Sequence, residues 1–179
     1  MSLAIRAAGP LDRHALEGLC AQLLREHQDR FADVYPTLPP DAAAALYAAE
    51  WARRLDADPT CLVWLAVDRA PVGFLAAEVW TRPIGQPTAI AFGEWLYVSP
   101  EQRGQGVALA LVRQLVTACR ERGLTHVELQ TVAGDRQWQR RGWAEVSRRY
   151  MRPVDALADD VEQAAHRFTW LRVNAEGKP

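Results

Sequence analysis

The residues whose types and spacing most plainly suit chemistry are Arg103-Gly104-Gln105-Gly106-Val107-Ala108. An apolar run reading as a strand ends just before them, and an apolar helical pattern begins within them. The two glycines let the backbone turn tightly. The first N–H groups of a helix have no partner inside it, and the helix dipole favours negative charge at that end. A phosphate group suits such a place. The dipole contributes only about 0.3–2 kcal/mol, so most of the affinity must come from several N–H bonds and from the rest of the ligand. A plain turn between strand and helix is the bland alternative. A Walker A loop would carry Lys and then Ser or Thr after its last glycine, where Val107 and Ala108 stand. A dinucleotide-binding fingerprint would place glycine or alanine at Leu109 and would usually open the first βαβ unit.

The elements that must position this loop follow from the hydrophobic periodicity. Residues 3–8 read as a strand. Asp12 starts a helix, with Leu11 and Leu16 at the staple positions around the cap and Leu16, Leu19, Cys20, Leu23 and Leu24 as its stripe. Residues 28–40 read as a polar, proline-bearing loop, and a second helix follows Asp41 to about Leu55. Residues 61–68, 72–80 and 89–98 read as strands, the first two joined by the tight-turn composition Asp68-Arg69-Ala70-Pro71. Pro100 ends the third. A helix is expected over 105–122, with Ala108, Leu111, Val112, Leu115 and Cys119 as its stripe and Gly123 as its C-terminal cap. A strand at 126–132, a short helix at 135–141 stopped by Gly142, and a strand at 143–152 complete the pattern. A helix at 155–165 and a strand at 167–173 form an appendage. Hairpins mixed with crossover helices make this an α+β or mixed-sheet α/β chain.

The composition agrees with one domain. The chain has 179 residues, of which 49% are hydrophobic, enough for a sizeable core. A single domain over 1–179 is expected, with its core at about 3–152 and the appendage at about 153–179. The formal net charge of −1 gives no general pull toward nucleic acid or anionic lipid. The odd number of cysteines, Cys20, Cys61 and Cys119, widely spaced and without CxxC, reads as buried reduced thiols rather than a disulfide framework or a zinc site. His14, His27, His126 and His166 show no ligand spacing, so no metal site is expected. The longest apolar run, residues 61–67, is too short to span a bilayer, and the N-terminus lacks the layout of a signal peptide. A cytoplasmic location is expected.

With its flanks, the glycine segment resembles the signature of the GNAT superfamily, the acyl-CoA-dependent N-acetyltransferases. Arg103, Gly106 and Ala108 fill the fixed places of the pattern Gln/Arg-x-x-Gly-x-Gly/Ala. The preceding Leu96-Tyr97-Val98 with Pro100, the ending from Trp138 to Gly142-Trp143, and the element order over residues 3–152 are similar as well. The resemblance implies a mixed central sheet flanked by helices, with acetyl-CoA as co-substrate.

It also implies a role for each matching residue. The backbone amides of Arg103, Gly104, Gln105, Gly106, Val107 and Ala108 would hold the CoA pyrophosphate. The edge of Leu96, Tyr97 and Val98 would pair with the pantetheine arm, and a backbone N–H near Leu96 would polarise the thioester carbonyl. The strand carrying them would splay from 126–132 to admit the acetyl group. Glu94, nine residues before Arg103, is the candidate base for the acceptor amine; alternation places it on one face with Leu96 and Val98. Its structural alternative is a carboxylate paired with an arginine. Glu78 is a weaker candidate of the same kind. Relatives commonly carry a tyrosine acid where this chain has Trp138, whose indole is a donor but no usable acid; a packing residue is the favoured reading there. Arg136, Arg140 and Arg141 either meet CoA phosphates or form a solvated helix face.

The acceptor expected is a small-molecule primary amine, held near the loop 28–40 with Asp29, Asp33 and Tyr35. A protein N-terminus or side chain is the alternative acceptor, and a non-catalytic acyl-CoA sensor the alternative function. The segment after Pro153 is a candidate homodimer surface.

Overall fold

The computed structural model describes residues 3–31, 38–82 and 88–129. The elements at 135–141, 143–152, 155–165 and 167–173, together with Asp33, Tyr35, Arg136, Trp138, Arg140 and Arg141, lie outside the described residues. Those described, apart from Phe31, belong to one unit formed by residues 1–30 and 37–135.

Its elements are β1 (Ala4–Ala7), α1 (Arg13–Phe31), α2 (Pro40–Arg54), β2 (Cys61–Asp68), β3 (Ala70–Arg82), β4 (Thr88–Val98), α3 (Val107–Glu121) and β5 (His126–Leu129). The five strands lie in sequence order in one sheet. β1 to β4 are antiparallel neighbours, and β5 joins β4 in parallel after the α3 crossover, so the sheet is mixed as expected.

Each face of the sheet has its own core. On one face α1 and α2 bring Leu16, Leu19, Cys20, Ala44, Ala48 and Trp51 against Val63, Leu65, Phe74 and Tyr97. On the other, Val107, Leu111, Leu115 and Cys119 of α3 pack on Leu62, Trp64, Leu75 and Ala91. β2 is buried on both faces, which accounts for its unbroken apolar run. The cysteines are buried and unpaired, and burial pushes the Cys20 thiol up to about 12.

Local chemistry moves several boundaries. Pro10–Asp12 winds as a 3-10 turn ahead of α1, so Leu11 is not the residue before an α-helical cap and is 99% exposed, with no staple to Leu16. Asp12 instead accepts the Gly9 N–H at 2.9 Å and pairs with both Nη atoms of Arg6. α1 runs to Phe31, four residues into the expected loop. Pro40 rather than Asp41 opens α2, because a missing N–H costs nothing in a first turn. The β2–β3 turn is tighter than its composition implies: Asp68 pairs with Ala70 across Arg69, which takes a φ of 61°. α3 buries Val107, while Ala108 is exposed. Gly123 caps α3 at a φ of 67°, with the Leu124 N–H reaching the Cys119 carbonyl at 2.8 Å.

Candidate functional site

The glycine loop begins where β4 ends. Pro100–Gln102 form a 3-10 turn, and α3 starts at Val107 with Gly106 as its N-cap. Gly104 and Gly106 have φ values of 78° and 85°, a region L side chains seldom adopt. A Cβ built on either would meet no atom within 4 Å, so open space lies against both. Ala110 is the first residue of α3 to bond back, its N–H reaching the Gly106 carbonyl at 3.0 Å. The amides before it have no carbonyl within the helix to bind. The Arg103 amide differs: it donates to the Pro100 carbonyl at 3.2 Å. The cradle of free donors therefore starts at Gly104, one residue later than the motif alone implies. Open space, positive-φ glycines and converging helix amides together fit a pyrophosphate.

The Arg103 side chain turns back onto the protein. Its Nε donates to the Val98 carbonyl at 2.8 Å and its Nη2 to Glu26 Oε1 at 2.6 Å. The guanidinium carbon lies 5.5 Å from the centroid of the Tyr97 ring. The Tyr97 hydroxyl is 3.3 Å from both Gln22 Oε1 and Glu26 Oε1. Burial and then the Glu26 carboxylate hold the Tyr97 phenol above its usual range. These contacts tie the phenol to α1.

Glu94 sits at a break in the β4 ladder. Ala76 pairs with Trp95 and Ala77 with Gly93, so Glu94 faces no partner residue and forms a β-bulge. Leu96, Val98 and Ala91 lie on the α3 face, and Trp95 and Tyr97 on the opposite one. The register shift breaks the period-two alternation of β4 between Ala91 and Leu96. On its far side β4 pairs with β5 from Ile90↔His126 to Gly93↔Leu129. The expected splay beyond Gly93 involves residues 130–132, outside the described residues.

Glu78 is committed elsewhere. It pairs with Arg54, which also holds Asp58, and it accepts the Trp80 indole N–H at 2.7 Å. Burial raises the Glu78 carboxyl, but the bonds from Trp80 and Arg54 outweigh this and leave it below the usual range. A base already paired with arginine is the structural alternative realised, so Glu78 is set aside.

Sequence reasoning missed Glu26, Gln22 and Gly73. Nothing in the sequence links Glu26 to Arg103. Gly73 did leave a signal, because a lone glycine within a strand often marks a close backbone approach. A Cβ there would lie 2.7 Å from the Tyr97 carbonyl oxygen.

A family model of the acetyltransferase (GNAT) family matches residues 20–143, more than half of the chain. The chain belongs to this family. GNAT acetyltransferases use acetyl-CoA, and this chain is one of them. No curated protein matches its sequence. Among solved structures it is similar to a ribosomal-protein-alanine N-acetyltransferase from Brucella melitensis biovar Abortus 2308, at 22% identity and a TM-score of 0.64, covering 86% of this chain and 99% of that one. It is also similar to a predicted acetyltransferase with acetyl-CoA from Clostridium acetobutylicum, at 17% identity and a TM-score of 0.68, covering 86% and 97%. An aminoglycoside N-acetyltransferase in complex with CoA shares 19% identity and a TM-score of 0.65, covering 85% and 94%. At such identities the likeness concerns the fold. In this GNAT acetyltransferase no helix among the described residues is long and apolar enough to cross a membrane, and no cluster of His, Cys, Asp and Glu there could hold a metal ion.

Proposed function

We propose that this acetyltransferase, as one domain over 1–179, transfers acetyl from acetyl-CoA directly to a small-molecule primary amine in a ternary complex. The observation that carries the reading is the open, positive-φ glycine loop at the N-terminus of α3, directly after β4. The amides of Gly104, Gln105, Gly106, Val107 and Ala108 hold the pyrophosphate. The edge of Leu96, Tyr97 and Val98 aligns the pantetheine arm.

Acetyl-CoA supplies a thioester carbonyl, and the amine attacks its carbon as the C–S bond breaks and CoA leaves as a thiolate. A backbone N–H near Leu96 donates to the carbonyl oxygen as charge develops there. An alkyl amine has a pKa of about 10.4, so its free base is scarce at neutral pH. Glu94, directly or through water, takes that proton. A β-bulge supports this role, since bulges often stand beside active sites and re-aim a residue out of the ladder. A thiol pKa of about 8.5 makes the thiolate a fair leaving group without the tyrosine acid replaced by Trp138.

The acceptor reading draws on the α1/α2 side of β4. His27, Tyr47, Trp51 and Trp95 form an aromatic group there, with Tyr47 and Trp95 centroids 4.9 Å apart. Asp29 is exposed in the last turns of α1, where it suits a cationic amine. Aminoglycoside acetylation by one structural neighbour agrees with a small-molecule acceptor; protein acetylation by another keeps the alternative in view.

The test is release of free thiol from acetyl-CoA across a panel of small amines and N-terminal peptides. Turnover with small amines bears the proposal out, and turnover with peptides alone replaces the acceptor class. Tight acetyl-CoA binding with no turnover on either panel supports the sensor reading that Trp138 keeps alive.

A further inference from the structure

The Arg103 side chain joins three parts of the molecule. Through Nε it holds the carbonyl of Val98, the last residue of β4. Through Nη2 it holds Glu26 on α1, and its guanidinium lies over Tyr97, whose hydroxyl meets the same Glu26 oxygen. Its own amide is bonded to Pro100. The backbone that leaves Arg103 enters Gly104 and the open cradle. The two glycines there have the greatest backbone freedom of any residue type, so the loop needs an external constraint to hold its amides converged.

We propose that Arg103, Glu26 and Tyr97 form a clamp that fixes the amides of residues 104–108, which makes Glu26, on a helix outside the motif, a positioning residue for acyl-CoA. The inference rests on the proposed role of that loop. The ion pair itself is about half exposed, and such pairs contribute little alone. The clamp works through geometry. A planar guanidinium reaches a backbone carbonyl and a carboxylate at once, and Tyr97, 3% exposed, provides a fixed surface beneath it. Lysine, with a compact ammonium, cannot reproduce that span.

The experiment compares wild type with Glu26→Gln, Glu26→Ala, Arg103→Lys, Arg103→Met and the double variant Glu26→Ala/Arg103→Met. Titration calorimetry gives Kd for acetyl-CoA, steady-state thiol release separates KM from kcat, and melting without ligand monitors the fold. Glu26→Ala and Arg103→Met should each weaken acetyl-CoA about tenfold, with kcat at saturation falling far less. Glu26→Gln, which keeps an acceptor oxygen, should lose less than Glu26→Ala, and Arg103→Lys should not restore binding. The double variant should be no worse than the poorer single one, because the two residues act as a unit. Equal Kd values in wild type and Glu26→Ala, or additive losses in the double variant, overturn the clamp. A wild type that binds no acetyl-CoA overturns the functional reading itself, a separate outcome.

Discussion

Glu94 and Gly106 act at the scale of single residues and fail in different ways when changed. Glu94→Gln keeps the size of the side chain and removes its basicity. It should lower kcat/KM for the best amine about a hundredfold near neutral pH, with the defect shrinking as pH rises toward the amine pKa of about 10.4. Acetyl-CoA affinity should be unchanged, and a pH profile parallel to wild type would remove Glu94 from the mechanism. Gly106 stands at a φ of 85° with open space beside it. Gly106→Glu would strain the backbone and put a carboxylate where the pyrophosphate belongs. Acetyl-CoA should raise the wild-type Tm and leave that of Gly106→Glu unmoved; a full shift in a folded variant would mean the loop is not the site. The turn at Gly106 was legible in the sequence because the glycines and the helix start share six consecutive residues. Glu94 was legible as a position only. A bulge depends on how the partner strand is registered, and no period within β4 reveals it.

At the scale of elements, the pairing of β3 with β4 presents the loop. Gly73 lies opposite Val98, and a Cβ there would come within 2.7 Å of the Tyr97 carbonyl and 3.4 Å of the Val98 Cα. Both neighbours are backbone, so neither gives way by changing rotamer. Gly73→Ala should therefore cost about 1–3 kcal/mol and lower Tm by several degrees. Because the displaced residues belong to the proposed pantetheine edge, KM for acetyl-CoA should rise more than kcat falls. An unchanged Tm and KM would show that β4 can shift freely. The periodicity of α3 and its Gly123 cap were readable, as both arise within a few turns of one helix. The start of α1 was not, because Asp12 bonds to Gly9 and Arg6 within a 3-10 turn instead of capping the helix, and Leu11 stays exposed rather than stapled to Leu16.

For the whole molecule, the lowered carboxylates predict an acid limb in stability. Arg6 holds Asp12 below its usual range, Thr60 and then Arg54 bring Asp58 to about 2, and Glu78 also lies low on balance. A carboxylate with a depressed folded pKa stabilises the native state fully above its unfolded value, about 4. That stabilisation is lost as pH falls through the folded value. Tm should thus drop between about pH 4.5 and 2, and these groups should add no slope from pH 6 to 8. Arg54→Met should be less stable at neutral pH and have a shallower acid limb, since it frees both Asp58 and Glu78. An acid limb identical to wild type would show that these pairs add nothing.

The sequence by itself determined the glycine loop, the helix it opens, the mixed order of strands and helices, and the buried state of the cysteines. Each is written in windows of a few to some fifteen residues, where spacing alone sets which atoms meet. The tertiary structure decided that Arg103 reaches back to Glu26, 77 residues earlier, that Gly73 must be bare beneath Tyr97, and that Glu78 belongs to Arg54. Such contacts depend on which helix covers which face of the sheet and on strand register. Hydrophobic pattern makes one face of each element apolar but leaves the choice of neighbour to packing.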